Sequence, residues 1–132
     1  MAIQFSVAVA NAMLDQIETT IGATAVLKIR SGAAPATCAT ADSGTVLATL
    51  TLPADWMAAA SSGSKAKSGT WQDASADATG TAAHYRLYAS DGSTCHQQGT
   101  VGTSGSDLIV DSVSFTAGQS FTINSFTWTA QV

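Results

Sequence analysis

The sequence predicts a mainly β protein, an antiparallel β-sandwich or barrel that carries one N-terminal α-helix. Apolar residues recur at every fourth position near the start of the chain, whereas from residue 25 onward they alternate or form short β-rich runs. Clusters of Gly, Ser, Asp and Pro separate these runs, as is typical of turns. We therefore divide the 132 residues of one compact domain into an N-terminal helical segment, 1–22, and a β-rich domain, 23–132.

The N-terminal segment predicts a helix near residues 6 to 21. Its apolar stripe consists of Phe5, Val9, Met13, Ile17 and Ile21, with Leu14 beside them. Its polar positions are Asn11, Asp15, Gln16 and Glu18. Ser6 can cap the start of the helix, and Gly22 suits the left-handed position that ends one. Two interpretations of the stripe stay open: it packs on its own domain, or it docks onto another subunit.

About seven short strands are predicted after the helix. The segments are 25–30, 45–52, 69–74, 83–89, 95–101, 108–115 and 120–130. In the first of them Leu27 and Ile29 alternate with Lys28 and Arg30, which is the period of two that a strand needs. No segment repeats at a fixed length, so we do not expect a solenoid.

Two long connections, 31–44 and 53–69, interrupt the strands. The second contains Trp56 and Met57, large apolar residues among small and polar ones. They either fill the core of their own domain or anchor a partner, as buried aromatic residues do at interfaces. The candidate partner contacts are Phe5, Val9, Met13, Trp56 and Met57.

Composition limits the function. Charged residues make up 11% of the chain and the formal net charge is −4, with the five basic residues spread apart, so we expect no nucleic-acid partner. No apolar run reaches the roughly 18 residues that span a bilayer, and no secretory leader pattern is present. We expect no membrane partner and synthesis in a cytoplasm.

Cys95 and His96 stand side by side after Asp91-Gly92, a dipeptide that predicts a tight hairpin turn. Neighbours on a strand point to opposite faces, so these two residues do not form a catalytic pair. His84 falls on the strand before the turn, where it can approach His96. Two Cys and two His are too few for a usual structural zinc site, and the sequence lacks a nucleophile elbow and a phosphate-binding loop. We therefore expect no catalytic residues, no metal, no cofactor and no enzymatic activity.

Cys38 and Cys95 allow two interpretations. They are free core thiols, or they form a disulfide that ties the 31–44 connection to the predicted hairpin. Such a bridge would close a loop of about 57 residues and would stabilise the fold by roughly 4 kcal/mol in the chain-entropy model.

Three stretches resemble a family of small virion structural proteins of tailed bacteriophages and prophages. They are MAIQFSVAVANAMLDQIETTIG (1–22), VLKIRSGAAPATCATADSGTVLATLTLPADWMAAASSGSKAKSGTW (26–71) and GTAAHYRLYASDGSTCHQQGTV (80–101). The similarity extends over nearly the whole chain. The resemblance implies a virion component, and it transfers no catalytic residue.

The first expectation is therefore a capsid decoration, or cement, protein in a virion assembled in the host cytoplasm. Its partners would be the major capsid protein or other virion subunits, with the chain in a homo-oligomer or bound to a lattice. One alternative is a tail or neck component, such as a tube or tail-tip subunit. Another is a receptor- or carbohydrate-binding module, whose aromatic candidates are Trp56, Trp71, Tyr85, Tyr88 and Trp128.

Overall fold

The structure, a computed structural model, describes residues 3–132, so that Met1 and Ala2 of the N-terminal segment lie outside the described residues. Its elements are α1 (Val7–Ile21), β1 (Val26–Ser31), β2 (Val46–Thr51), β3 (Ser64–Ala66), β4 (Trp71–Asp73), β5 (Gly80–Tyr88), β6 (Cys95–Gly102), β7 (Leu108–Ile109), β8 (Ser114–Phe115), β9 (Phe121–Ile123) and β10 (Thr127–Thr129). The prediction of a mainly β, sandwich-like fold with one N-terminal helix is confirmed.

One six-stranded sheet forms the larger layer. Its order is β2-β1-β5-β6-β7, and β8 pairs with the start of β5. The pairings are antiparallel except that of β6 with β7, which is parallel. Leu27 lies opposite Leu50 on one side and Leu87 on the other, so this face of the sheet is apolar. The second layer consists of two antiparallel pairs, β3 with β10 and β4 with β9.

A cluster of aromatic rings fills the core between the layers. Trp56 lies with its ring centroid 6.0 Å from that of Trp71 and 5.7 Å from that of Trp128. Phe126 contacts Trp71, Trp128 and Tyr85 at centroid distances of 5.6 to 5.9 Å. These rings are at least nine-tenths buried, so they contribute a large share of the apolar area that folding removes from water.

The predicted hairpin turn is present between β5 and β6. Gly92 has a φ of +69°, and the carboxylate of Asp91 accepts hydrogen bonds from the backbone N–H groups of Ser93 and Thr94, both at 2.9 Å. The side-chain and backbone hydrogen bonds from Thr94, with that from Ser93, lower the pKa of Asp91 to about 2.

Three predicted segments differ from the structure. β3 lies inside the predicted 53–69 connection, and segments 108–115 and 120–130 each contain two strands. Segment 108–115 pairs first with β6 and then with β5, whereas segment 120–130 pairs first with β4 and then with β3. In both segments the alternation of buried and exposed residues slips by one position between the two strands, at Asp111-Ser112 and at Asn124-Ser125.

The outer edges of the large sheet are unsuited to adding another strand. At β2 the carboxylate of Asp73 accepts a hydrogen bond from the Thr49 N–H (2.9 Å), and the Asp77 N–H donates to the Leu47 carbonyl (2.7 Å). At the opposite edge β7 has only two residues. Because paired or very short edges discourage strand addition, these two edges are poor sites for partner contacts.

Within residues 3–132, no helix combines the length and apolar character that crossing a membrane requires.

Candidate interaction surface

The boundaries of α1 follow from its caps. The Ser6 side chain accepts a hydrogen bond from the Val9 N–H at 3.2 Å, and the Gly22 N–H donates to the Glu18 carbonyl at 2.9 Å. Gly22 has a φ of +91°, a conformation that other residues rarely adopt. The predicted start and end of the helix are therefore confirmed.

The helix binds its own domain through polar as well as apolar side chains. Three of them, spaced by four and three residues, accept hydrogen bonds from backbone N–H groups of the irregular segment 57–63. The pairs are Asn11 with Gly63 at 2.9 Å, Asp15 with Ala60 at 3.0 Å and Glu18 with Met57 at 3.2 Å. This segment lacks regular pairing for those N–H groups, so α1 supplies the acceptors that its backbone requires.

Lys65 of β3 reinforces this contact. Its side chain is 2% exposed, and Nζ donates to Asp15 Oδ1 (2.7 Å), to Glu18 Oε1 (2.9 Å) and to the Ala58 carbonyl (2.9 Å). Burial lowers the pKa of Lys65, but the hydrogen bonds that its ammonium group donates to both carboxylates outweigh burial and raise the pKa overall. The hydrogen bond from Lys65 lowers the pKa of Asp15. At neutral pH the group is a fully hydrogen-bonded ion cluster, which suits a structural role.

The predicted apolar stripe divides into two parts. Leu14 and Ile21 are buried and Ile17 is half-buried against the core, whereas Val9 is 46% exposed and Met13 is 39% exposed. One part of the stripe therefore packs on its own domain, and the other part leaves apolar side chains in solvent.

We use the name outward face for the exposed positions that follow helical spacing along α1. They are Val9, Ala12, Met13, Gln16 and Thr20. Phe5, four residues before Val9, is 39% exposed, and Ile3 is 74% exposed. The outward face includes no charged side chain, because the two carboxylates of α1, Asp15 and Glu18, lie on another side of the helix with Lys65. A shallow cavity of about 260 Å³ lies beside the C-terminal half of the outward face, between Met13 and His96.

Trp56 and Met57 are wrongly predicted as partner contacts. Trp56 is 0% exposed and Met57 is 1% exposed. The Trp56 indole Nε1–H donates to the Gly22 carbonyl at 2.9 Å, and its ring packs between Trp71 and Trp128. Both residues belong to the core, because α1 and the β3–β10 pair close over the connection that carries them.

The two histidines do not meet. The β5–β6 register places His84 opposite Thr100, four residues along from His96. His84 is buried with Nδ1 at 2.7 Å from the Gly32 carbonyl oxygen, whereas His96 is exposed beside α1. The suggestion that His84 and His96 approach each other is therefore wrong, and the reason is the register. In the part of the chain that the structure describes, no three His, Cys, Asp or Glu residues group closely enough to hold a metal ion.

Cys38 and Cys95 form a disulfide, with 57 residues of sequence separation. The bridge ties the irregular segment 32–45 to the start of β6. Of the two interpretations of these cysteines, the disulfide agrees with the structure and the free thiols do not.

Polar contacts fasten the same segment over the second face of the large sheet. Arg86 donates to Asp42 Oδ1 (2.7 Å) and to the carbonyls of Thr37 (2.8 Å) and Thr40 (2.9 Å). Arg30 pairs with the other oxygen of Asp42 at 2.9 Å. Burial raises the pKa of Asp42, but hydrogen bonds from Tyr88 and Arg86 and the nearby positive charges lower it overall. Segment 32–45 is therefore a fixed cover.

Burial of cations makes the surface more acidic than the net charge indicates. Arg30, Lys65 and Arg86 are buried, and Lys28 and Lys67 are half-buried. Within residues 3–132 the charged residues in exposed positions are all aspartates: Asp42, Asp55, Asp77, Asp91, Asp107 and Asp111. The outward face is thus an uncharged strip on an acidic molecule.

The aromatic candidates for carbohydrate binding lie inside the protein. Trp56, Trp71, Tyr85, Tyr88 and Trp128 are between 0% and 8% exposed. Burial raises the pKa of Tyr85, whose hydroxyl donates to Gln97 at 3.0 Å. Stacking against a sugar ring requires an open aromatic face, which these five side chains do not present.

Comparison of the chain with protein-family models, with curated proteins and with solved structures gave no match.

Proposed function

We propose that this chain is a non-enzymatic structural protein of a bacteriophage virion, a capsid decoration (cement) protein bound to the major capsid protein. The sequence resemblance supports the virion assignment. The outward face of α1 supports a role based on protein contacts, and it is the observation on which the proposal depends.

Single exposed apolar side chains are common on protein surfaces, whereas several that adjoin one another can indicate an interaction site. Val9 and Met13 lie one helical turn apart, and Phe5, in the segment before the cap Ser6, is also exposed. The side chains that hold α1 to its own domain lie on another side of the helix, so these exposed side chains add little to folding. Apolar patches of a few hundred Å² on soluble proteins commonly mark interaction sites.

The remainder of the molecule suits a subunit that must persist on a particle. The disulfide and the Arg86–Asp42 pair fasten segment 32–45, and the outer edge of β2 is occupied by Asp73 and Asp77. A rigid domain with blocked edges can join a lattice through one chosen surface without strand-to-strand aggregation.

The location in the virion is tested by labelling. Antibodies against the folded chain, bound to gold, are applied to purified particles from cells that carry the gene. The proposal predicts gold over the head. Gold confined to the tail or neck would favour the tube or tail-tip alternative, and particles that lack the chain altogether would contradict a virion role.

A further inference from the structure

We propose that the partner of the outward face is a second copy of this chain, so that the protein is a two-fold symmetric dimer joined through α1. The inference concerns the surface on which the proposed function depends, but its test needs only the purified chain.

Charge favours a second copy at this face. The other exposed surface carries the acidic side chains, and the formal net charge is −4, so two copies repel one another over most of their surface. In a two-fold contact each patch meets itself, and any charge in the patch lies near its own like charge. The outward face carries no charge and avoids this repulsion.

Side-chain size also fits a helix-to-helix contact. Ala8 and Ala12 are exposed one turn apart beside Val9 and Met13. Small residues let two helix axes approach, and the larger side chains of the partner can fill the space over them. Gln16 and Thr20 continue the face with uncharged groups that can donate and accept hydrogen bonds across the contact.

The available area is adequate for a modest dimer. Ile3, Phe5, Val9 and Met13 are between 39% and 74% exposed. Ala12, Gln16 and Thr20 are also exposed on the outward face. Together their exposed parts amount to a surface on the order of 500 Å² in each copy, of which the larger part is apolar. Two copies would together hide about 1,000 Å², near the lower limit for a specific interface. We therefore expect a dimer of moderate affinity.

Sedimentation velocity of the full chain over roughly a hundredfold concentration range tests the inference. We expect a monomer to dimer transition as concentration rises. The variant Val9→Asp/Met13→Asp places two like charges in the contact and should weaken dimerisation at least about tenfold. The control Ser104→Asp/Thr122→Asp adds the same charge at exposed positions away from α1 and should dimerise like the wild type.

A cross-link provides a second readout that does not depend on the charged variant. Both native cysteines are bridged, so Ala12→Cys introduces the one free thiol among residues 3–132. A two-fold axis near the middle of the outward face brings residue 12 close to its own copy, and mild oxidation should give a covalent dimer. Thr122→Cys, exposed on β9, should stay largely monomeric.

A chain that sediments as a monomer at every concentration would overturn the inference, as would a dimer that Val9→Asp/Met13→Asp leaves intact. A monomer that still joins particles would contradict the dimer and leave the virion proposal standing. A dimer that never enters particles would contradict the virion proposal alone.

Discussion

Lys65 connects α1 to β3 through one buried ammonium group. Its three hydrogen bonds go to two carboxylates of the helix and to the Ala58 carbonyl. A buried cation is tolerated only when paired and hydrogen-bonded, so this side chain and the helix depend on each other.

We predict that Lys65→Met lowers the free energy of unfolding by roughly 2 kcal/mol, because it removes hydrogen bonds between the ammonium group and the carboxylates of Asp15 and Glu18. Lys67→Met is the matched control. Lys67 is half-buried and donates to the Gly69 carbonyl, so its loss should cost less than about 1 kcal/mol. Urea unfolding followed by tryptophan fluorescence measures both variants. Equal losses would show that the Lys65 cluster has no special importance.

The same cluster predicts a pH dependence. The pKa of Asp15 is lower in the folded protein than in the unfolded chain, so its contribution is complete above the unfolded value of about 3.9 and is lost as pH falls. The pKa of Lys65 is raised, so its contribution is lost only as pH rises above about 10.4.

We therefore predict that the melting temperature falls below about pH 4 and that Asp15→Asn flattens part of this fall. Melting curves between about pH 2 and pH 7 provide the measurement. Asp55→Asn, a change at an exposed aspartate, should retain the wild-type slope. If Asp15→Asn also retains the wild-type slope, the ion cluster does not contribute to the pH dependence of the melting temperature.

Trp56 and Met13 test the distinction between core and surface. Trp56→Ala should destabilise the protein by about 3–5 kcal/mol, because it empties the centre of the aromatic cluster and removes the hydrogen bond to Gly22. Met13→Ala, on the outward face, should change stability by less than about 0.5 kcal/mol. Chemical denaturation of the two variants side by side provides the check. A small loss for Trp56→Ala would contradict the core assignment.

At the scale of elements, features that depend on neighbouring residues can be predicted from the sequence, whereas features that depend on distant residues cannot. The helix boundaries follow from Ser6 and Gly22, because caps act within one turn. The orientation of the helix follows from its pattern only in part. The usual rule turns the apolar stripe inward, and this holds for Leu14, Ile17 and Ile21. Asp15 and Glu18 also face the domain, because segment 57–63 needs acceptors and Lys65 needs counter-charges. Those requirements arise some 40 to 50 residues away in the chain.

Register explains the other differences. The hairpin turn at Asp91-Gly92 was predictable from its residues, but the bulge near Leu87 and the separation of His84 from His96 were not. The burial of Trp56 likewise depends on α1 and β10 closing over it. For the candidate surface, the sequence predicts Phe5, Val9 and Met13 as candidate partner contacts, and the structure leaves these three residues exposed.

Segment 32–45 has two independent fastenings, the disulfide and the Arg86–Asp42 pair. We predict that Cys38→Ser/Cys95→Ser folds to the same structure with an unfolding free energy lower by roughly 2–4 kcal/mol, because the unfolded chain loses the closure of a 57-residue span. Thermal unfolding without reductant measures the difference. Reduced wild type should match the double variant, and an unchanged melting temperature would show that the bridge does not constrain the unfolded chain.

For the whole molecule, three features favour association through α1. They are the buried and half-buried cations, the blocked edges of the large sheet and the uncharged outward face. The acidic surface keeps copies apart elsewhere, and α1 offers the apolar strip through which contacts can form. The central claim is that this strip joins copies of the chain and that the joined form is the one a virion retains.

The most direct test is the amount of chain retained in purified particles. Quantitative mass spectrometry would compare wild type, Val9→Asp/Met13→Asp and the control Ser104→Asp/Thr122→Asp, each first shown by circular dichroism to be folded. We predict full occupancy for wild type and control, and a loss of at least about tenfold for the outward-face variant. Equal occupancy of all three would contradict the claim that α1 provides the contact.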